Sequence, residues 1–361
     1  MAKMSFTPTP AKIKALGVGG GGCNALNRMV EAEVQGVDFV AVNTDAQALM
    51  ANQATTRIQI GEKLTKGLGV GGDPDGGARA AEESREELRK IMEGTDLVFI
   101  AAGMGGGTGT GASPIIADLA RESGALTIGI VTKPFSFEGL RRQQAAEEGI
   151  NNLTDKLDAM IVIPNDRLIA LSDFKVTVDN AFKMADDVLM TGVRAISEVI
   201  TVPGLINLDY ADVRSIMKDA GPAWLSIGRS SGQNRTVEAA HAAIASPLLE
   251  VSIEGAKGVL FVVTGTSNLT LAEVNQAADV ISRAVDPEAN VIFGVTLDPK
   301  MDNEVRLTLI ATGFTPSRAV TATRRDDEFR RLIKSLDESE IDTPAFLRRP
   351  LTLRRQVSKK P

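Results

Sequence analysis

Nine consecutive residues, Gly103-Met104-Gly105-Gly106-Gly107-Thr108-Gly109-Thr110-Gly111, hold six glycines and two threonines. They follow the apolar run Leu97-Val98-Phe99-Ile100-Ala101-Ala102, which reads as a buried strand, and precede 112–123, which reads as a helix. Glycines let a backbone turn with positive φ and approach a ligand closely. A helix behind them offers unpaired N–H groups and the positive end of a dipole. That combination binds anions, phosphate above all. A second cluster, Gly17-Val18-Gly19-Gly20-Gly21-Gly22-Cys23-Asn24, lies between a strand over 13–16 and a helix over 25–32. Gly17, Gly19 and Gly22 fit G-x-G-x-x-G, which taken alone suggests a nicotinamide-dinucleotide oxidoreductase. Two such loops suit one nucleotide carrying several phosphates better. The sequence contains neither G-x-x-x-x-G-K-[ST] nor N-K-x-D.

A third constellation is acidic: Asn207-Leu208-Asp209-Tyr210-Ala211-Asp212. Its plainest reading is a helix start, with Asp209 as N-cap and Asp212 in the first turn. Glu138 and Arg142 are spaced as a helical i,i+4 ion pair. Cys23 is either a small buried filler or, at a helix N-terminus, a thiol of lowered pKa. His241 falls in an Ala-rich helical pattern as a surface or partly packed residue.

The two glycine loops together resemble those of the tubulin/FtsZ family, the tubulin-like GTPases of bacterial cell division. The resemblance continues through Val42-Asn43-Thr44-Asp45-Ala46-Gln47-Ala48-Leu49, Gly67-Leu68-Gly69-Val70-Gly71-Gly72-Asp73-Pro74, Thr132-Lys133-Pro134-Phe135-Ser136-Phe137-Glu138-Gly139, Ile163-Pro164-Asn165-Asp166, the segment from Pro203 to Arg214, Ser246-Pro247-Leu248-Leu249-Glu250 and the terminal Ile341-Asp342-Thr343-Pro344-Ala345-Phe346-Leu347. It covers most of the chain from Lys12 to Phe314. It implies GTP and GDP as ligands. Gly20, Gly21, Gly22, Cys23 and Asn24 would hold phosphate from one side, and Gly103, Gly105, Gly106, Gly107, Thr108 and Gly109 from the other. Thr44 would join them, and the Gly69 to Asp73 loop, with Gly71 and Gly72, would close over the γ-phosphate. Mg²⁺ would ride on phosphate oxygens and water rather than in a protein cage. Glu138, Arg142 and Asn165 would meet the sugar, and Phe182 would pack on the base. Asp187, or the adjacent Asp186, would accept hydrogen bonds from guanine N1–H and the 2-amino group, a donor pair that adenine lacks. Asp209 and Asp212 would orient the attacking water in the site of the next subunit, with Asn207 near the γ-phosphate. The family's chains assemble head to tail, and Ile341, Pro344, Phe346 and Leu347 would bind membrane-tethering and regulatory division proteins at midcell. The remaining alternatives are the nicotinamide-dinucleotide enzyme and a filament protein that binds GTP without splitting it.

The elements that must carry these residues follow from pattern. Strands at 13–16, 37–43, 57–60, 96–102, 125–132 and 158–163 alternate with helices, which implies a mostly parallel sheet covered on both faces. Nucleotides bind at the carboxyl ends of such strands. From Val178 to Thr201, Phe182, Ala185, Leu189, Val193, Ile196 and Ile200 repeat at helical spacing and form one stripe, with Pro203-Gly204 as the stop. Beyond it come strands at 222–229, 257–264, 290–297 and 304–313, the last alternating as a half-exposed strand should, and helices near 209–219, 234–245 and 269–284. The fold class is therefore α/β, and the resemblance implies a Rossmann-like GTPase domain (12–177) with a parallel sheet, a long central helix (178–203) joining the domains, and a second α/β domain with a mixed sheet (204–316). A loose arm (1–11) precedes them. A short linker (317–341), in which Phe329, Leu332, Ile333 and Leu336 would share a helix face, and a peptide (342–361) follow. Family members usually carry a longer linker; this one spans roughly 30 Å as a flexible coil.

With 361 residues, 43% apolar, the chain can bury large cores. No run approaches the ~18 apolar residues of a membrane span, and the N-terminus lacks a signal-peptide core, so the cytoplasm is the expected site. One cysteine excludes an internal disulfide. Only 4% aromatic residues argue against a stacking platform for single-stranded nucleic acid. From Arg324 to Pro361, 11 Lys/Arg stand against 7 Asp/Glu, so a basic tail follows a body of net charge −10 in a chain of −6.

Overall fold

Ten strands pair into one sheet in the computed structural model, which describes residues 11–170, 176–202, 206, 208–249 and 252–314. They are β1 (Ile13–Val18), β2 (Val37–Asn43), β3 (Thr56–Gln59), β4 (Leu97–Gly103), β5 (Leu126–Lys133), β6 (Ala159–Pro164), β7 (Gly221–Ser231), β8 (Gly258–Gly265), β9 (Asn290–Leu297) and β10 (Glu304–Thr312). The spatial order is β3-β2-β1-β4-β5-β6-β7-β10-β8-β9. The strands from β3 to β7 are parallel, β10 is antiparallel to both its neighbours, and β8 and β9 are parallel. The seam between the two halves is narrow: only Ala159, Met160 and Ile161 pair with β7.

The helices are α1 (Gly19–Glu31), α2 (Ala46–Met50), α3 (Glu62–Thr65), α4 (Pro74–Glu83), α5 (Arg85–Met92), α6 (Thr108–Glu122), α7 (Leu140–Thr154), α8 (Asn165–Ala170), α9 (Val178–Thr201), α10 (Tyr210–Met217), α11 (Arg235–Ile244) and α12 (Leu271–Ala284). Successive residues of β1, β4 and β5 are buried on both faces of the sheet, so helices must cover both. On one face, Leu26 and Met29 of α1, Leu189, Val193 and Ile196 of α9 and Met217 of α10 share a core with Leu225, Leu260, Val262 and Ile310. That core runs under both halves of the sheet. On the other face the halves have separate cores, one under α4 to α7 and one under α11 and α12.

α9 begins and ends as its sequence pattern predicts, and the Thr177 hydroxyl accepts from the Asn180 N–H at its start. Ala185, Leu189, Val193 and Ile196 are buried, but Phe182, the first member of the stripe, is 41% exposed. The helix has run past the edge of the core there. β10 departs from its half-exposed reading: Thr308 and Ile310 are as buried as Leu307 and Leu309. It is a central strand with β7 on one side and β8 on the other, so helices cover both its faces. The Pro203-Gly204 stop, the short helix expected around Phe329 and the terminal peptide lie outside the described residues.

Because Ile196 is fully buried between the two halves, Ile196→Ala is expected to cost about 2–4 kcal/mol of folding free energy, read as a lowered urea midpoint at unchanged slope.

Candidate functional site

β1 and β4 are parallel neighbours with Val18 opposite Ala102, so both glycine loops emerge side by side. The chain runs from β1 outward to β2 and β3 and then returns to β4, which makes this the topological switch point of the sheet. Both helices start earlier than their sequence patterns indicate. α1 begins at Gly19 and α6 at Thr108, inside the glycine runs themselves. Neither has a side chain capping its first turn. Two helix N-termini with orphan N–H groups therefore converge on one place, which is an anion site.

The glycines sort into two kinds. A Cβ on Gly17 would lie 2.4 Å from the Gly22 carbonyl oxygen, one on Gly22 2.2 Å from that of Ala101, and one on Gly19 2.7 Å from the Gly109 nitrogen. Cβ atoms on Gly105 and Gly107 would meet the carbonyls of Arg142 and Gly71 at 2.6 and 2.5 Å, and one on Gly109 that of Gly103 at 2.7 Å. These residues let backbone touch backbone. A Cβ on Gly20, Gly71, Gly72 or Gly106 would meet no atom within 4 Å, so here bare backbone faces open space that a ligand can approach. A Cβ on Gly21 would lie 3.3 Å from the Gly103 Cα. The Gly69 to Asp73 loop does join the site: the Gly107 N–H donates to the Gly71 carbonyl at 3.1 Å.

Thr44, fully buried, shares a 2.7 Å hydroxyl–hydroxyl bond with Thr108. With Thr44 as donor, the Thr108 proton is left for a phosphate oxygen. Asn43 Oδ1 fixes the end of β2 by accepting from the Thr44 N–H at 2.9 Å, and the Thr110 hydroxyl accepts from the Gly105 N–H at 2.9 Å. Sequence reasoning gave neither Asn43 nor Thr110 a role, although both sit inside the quoted motifs. Cys23 and Asn24 fall in the second turn of α1, where helix geometry commits their N–H groups to the ladder. The Cys23 thiol is also not activated. It is 3% exposed and points toward the Gly17 and Val42 carbonyls, and burial pushes its pKa up to about 12. Five residues into the helix, desolvation outweighs the dipole.

Farther along the same edge, the 3₁₀ turn Ser136–Glu138 follows β5. Glu138 accepts from the Phe135 N–H at 2.9 Å through one oxygen and pairs with Arg142 at 2.6 Å through the other. The predicted ion pair exists, but it spans the turn and α7 rather than one helix. Asn165, 4% exposed at the end of β6, holds an Oδ1 atom with no hydrogen-bond partner among the described residues. A buried acceptor in that state fits a ligand hydroxyl or N–H. Phe182 meets Phe135 and Phe137 edge to face at 5.4 and 6.3 Å. Phe137 is 58% exposed, so the aromatic cluster offers an apolar platform that the sequence signalled only through the pair of phenylalanines around Ser136.

Asp186 stands one helical turn from Phe182, on the same side of α9. Burial pushes its pKa up to about 7; Arg28 opposes the shift and Asp187 adds to it. Asp187 is more exposed and pairs with Arg28 at 3.5 Å. The two carboxylates are thus inequivalent: one is half desolvated beside the aromatic platform, the other is engaged with α1.

Asp209 and Asp212 do not join this site within one chain. Asp209 caps α10, and its N–H donates to Asp212 Oδ2 at 3.3 Å. Tyr210 between them donates its hydroxyl to the Asp96 carbonyl at 2.7 Å, at the start of β4. The second glycine loop leaves the far end of that strand. Seven extended residues separate the two places by about 20 Å. Asn207, Ile341, Pro344, Phe346 and Leu347 lie outside the described residues. Among the described residues no group of three or more His, Cys, Asp or Glu side chains could hold a metal ion, and no helix is long and apolar enough to cross a membrane.

Comparison with known proteins gives this geometry a context. Residues 12–173 match the Tubulin/FtsZ family, GTPase domain, and residues 221–315 match the FtsZ family, C-terminal domain. An FtsZ dimer from M. jannaschii, described as empty, is 43% identical, with a TM-score of 0.83 over 85% of this chain and 90% of that one. Two Haloferax volcanii proteins share the fold. GDP-bound monomeric CetZ1 is 21% identical, with a TM-score of 0.74 over 87% of this chain and 98% of that one. CetZ2, a GTPγS-bound protofilament, is 20% identical, with a TM-score of 0.73 over 90% of this chain and all 100% of that one.

Two outcomes are expected. Cys23 should resist maleimide at pH 7.5 in the folded protein and react at once in urea; equal rates would place the thiol at the surface. Asp186 keeps its proton in the folded chain between its ordinary value of 3.8 and about 7, whereas the unfolded chain has lost it. The contribution of Asp186 to stability therefore falls as pH rises through that window. Asp186→Asn should raise the urea midpoint of nucleotide-free protein at pH 8 relative to wild type, and the gain should shrink toward pH 4.

Proposed function

Because the chain belongs to the tubulin/FtsZ family and is an FtsZ-type GTPase, we propose that its catalytic site is completed only between two molecules stacked head to tail. The observation that carries this reading is the separation of the two centres along β4. The glycine loops stand at the carboxyl end, while Tyr210 ties the acidic pair to the amino end. Head-to-tail stacking brings the amino ends of one sheet to the carboxyl ends of the next. Such a heterologous contact does not close on itself and so builds filaments.

In each pocket, the N–H groups of the first turns of α1 and α6 and the open backbone at Gly20, Gly71, Gly72 and Gly106 take the phosphates. Thr108 adds a hydroxyl donor. Fixed dipoles of this kind stabilise phosphate charge with little reorganisation. Mg²⁺ would ride on phosphate oxygens and water and would supply positive charge against the charge that develops there. Glu138, Arg142 and Asn165 serve the sugar, and the orphan acceptor on Asn165 supports that role. Phe182 packs on the purine. Of the two candidate guanine readers, Asp186 is favoured, because it shares a face with Phe182 and forms no salt bridge among the described residues, whereas Asp187 is paired with Arg28. Two hydrogen bonds from guanine require the ionised carboxylate, so binding draws the Asp186 proton off.

Asp209 and Asp212 of the neighbouring subunit then polarise and orient a water for in-line attack on the γ-phosphorus. The new O–P bond forms as the bond to GDP breaks, and the water proton leaves toward the carboxylates. Positioning and charge placement are most of what this reaction asks of a protein. Asn207 joins that loop in the same reading. Loss of the γ-phosphate weakens the contact and lets filaments turn over. The cytoplasm and a ring at midcell are the place of action, with Ile341, Pro344, Phe346 and Leu347 docking on tethering and regulatory proteins as a short apolar-anchored peptide.

Neither a nicotinamide-dinucleotide enzyme nor a non-hydrolysing filament finds support. The first leaves the second glycine loop without use, and the second departs from the family's GTPase activity. GTP hydrolysis per molecule should be near zero below a threshold protein concentration and rise above it. Asp212→Ala should keep GTP affinity within about threefold and lose about 10²-fold in turnover. A wild-type specific rate that stays constant across the assembly threshold would put the whole site in one chain.

A further inference from the structure

Asn165 and its neighbour Asp166 open α8 at the end of β6, beside the end of β5. Asn165 points into the protein, while Asp166 points out and across. Its Oδ1 accepts from the Ser136 N–H at 2.9 Å. Ser136 starts the 3₁₀ turn that carries Phe137 and Glu138; Ser136 and Phe137 are exposed, while Glu138 is half-buried and the root at Phe135 is buried. Two carboxylates hold the N–H groups at its entry. Glu138 takes that of Phe135, and Asp166 takes that of Ser136. Within the turn, the Glu138 N–H donates to the Phe135 carbonyl and the Gly139 N–H to the Ser136 carbonyl, at 3.0 and 3.3 Å. The Asp166 bond is therefore a charge-assisted tie between the strand ends that carry Glu138 and Asn165.

We propose that Asp166 is a positioning residue for sugar recognition, holding the Ser136–Glu138 turn so that Glu138 and Asn165 address the same ribose. This rests on the reading that Glu138 accepts from a ribose hydroxyl. Asp166 itself touches no substrate. Its effect must appear as discrimination between a nucleotide with ribose hydroxyls and one without them, which a general loss of stability would not change.

The test is equilibrium binding of GDP and of 2′,3′-dideoxy-GDP to the full chain. Hydrogen bonds to a charged acceptor set the wild-type preference for GDP at about tenfold or more. Asp166→Ala should weaken GDP until the preference falls below about threefold, while dideoxy-GDP stays within about twofold of wild type. Asp166→Asn keeps an oxygen acceptor and should restore more than half of the preference. Ser136→Pro removes the donor of the same bond and should reproduce Asp166→Ala, which covers the case in which the alanine variant does not fold. A wild-type preference in Asp166→Ala, or equal weakening of both nucleotides, overturns the proposal. Glu138→Gln run in parallel separates the two failures. If it too leaves the preference unchanged, the sugar role of Glu138 is wrong; if it alone lowers the preference, only the Asp166 tie is wrong.

Discussion

Everything at the nucleotide end depends on the contact of two backbones, β1 and its loop against β4 and its loop. Gly19 lies against Gly109 at a distance no side chain would permit, and Gly21 lies against Gly103 with little room for one. This closeness points two uncapped helix N-termini at one spot. Their positive ends repel each other, and an anion between them relieves the repulsion. The sheet order that puts β1 beside β4 thus does more than assemble a core. It creates an electrostatic demand that a polyphosphate meets.

The opposite end of the sheet is organised by different means. There the carbonyl of Asp96, the phenol of Tyr210 and the guanidinium of Arg214 form a short chain of hydrogen bonds. These bonds seat α10 on the amino end of the strand whose carboxyl end bears the second loop. α9 connects the ends. It leaves the aromatic platform at Phe182, runs over the shared core through Leu189, Val193 and Ile196, and stops shortly before α10. A single helix thus spans the distance between the aromatic platform and the acidic pair.

Much of this was legible in the residues. Strand positions followed from apolar runs, and α9 from its stripe, because burial on a sheet or a core leaves a periodic trace. Helix starts were misread at Gly19 and Thr108. Glycine is a poor helix former, and only the close approach of the second loop explains why a helix begins on it. β10 was misread because alternation in its first residues hides that both faces are covered farther on. Cys23 showed the limit of position-based argument: the field of a helix end reaches about one turn, and the thiol lies beyond it in a desolvated pocket. Contacts between distant segments, such as Thr44 with Thr108 or Asp166 with Ser136, leave no spacing to read.

The three-residue seam between β6 and β7 has a mechanical meaning. A sheet resists bending in proportion to the bonds that bridge neighbouring strands. Elsewhere in the interior of this plate six to eight residue pairs span each gap, and here there are three. The plate has one built-in flexure, placed between the half that grips nucleotide and the half that bears α11 and α12. Load carried along a chain of such subunits concentrates its strain at that line. The core beneath α9 is continuous across the line and ties the two halves together there.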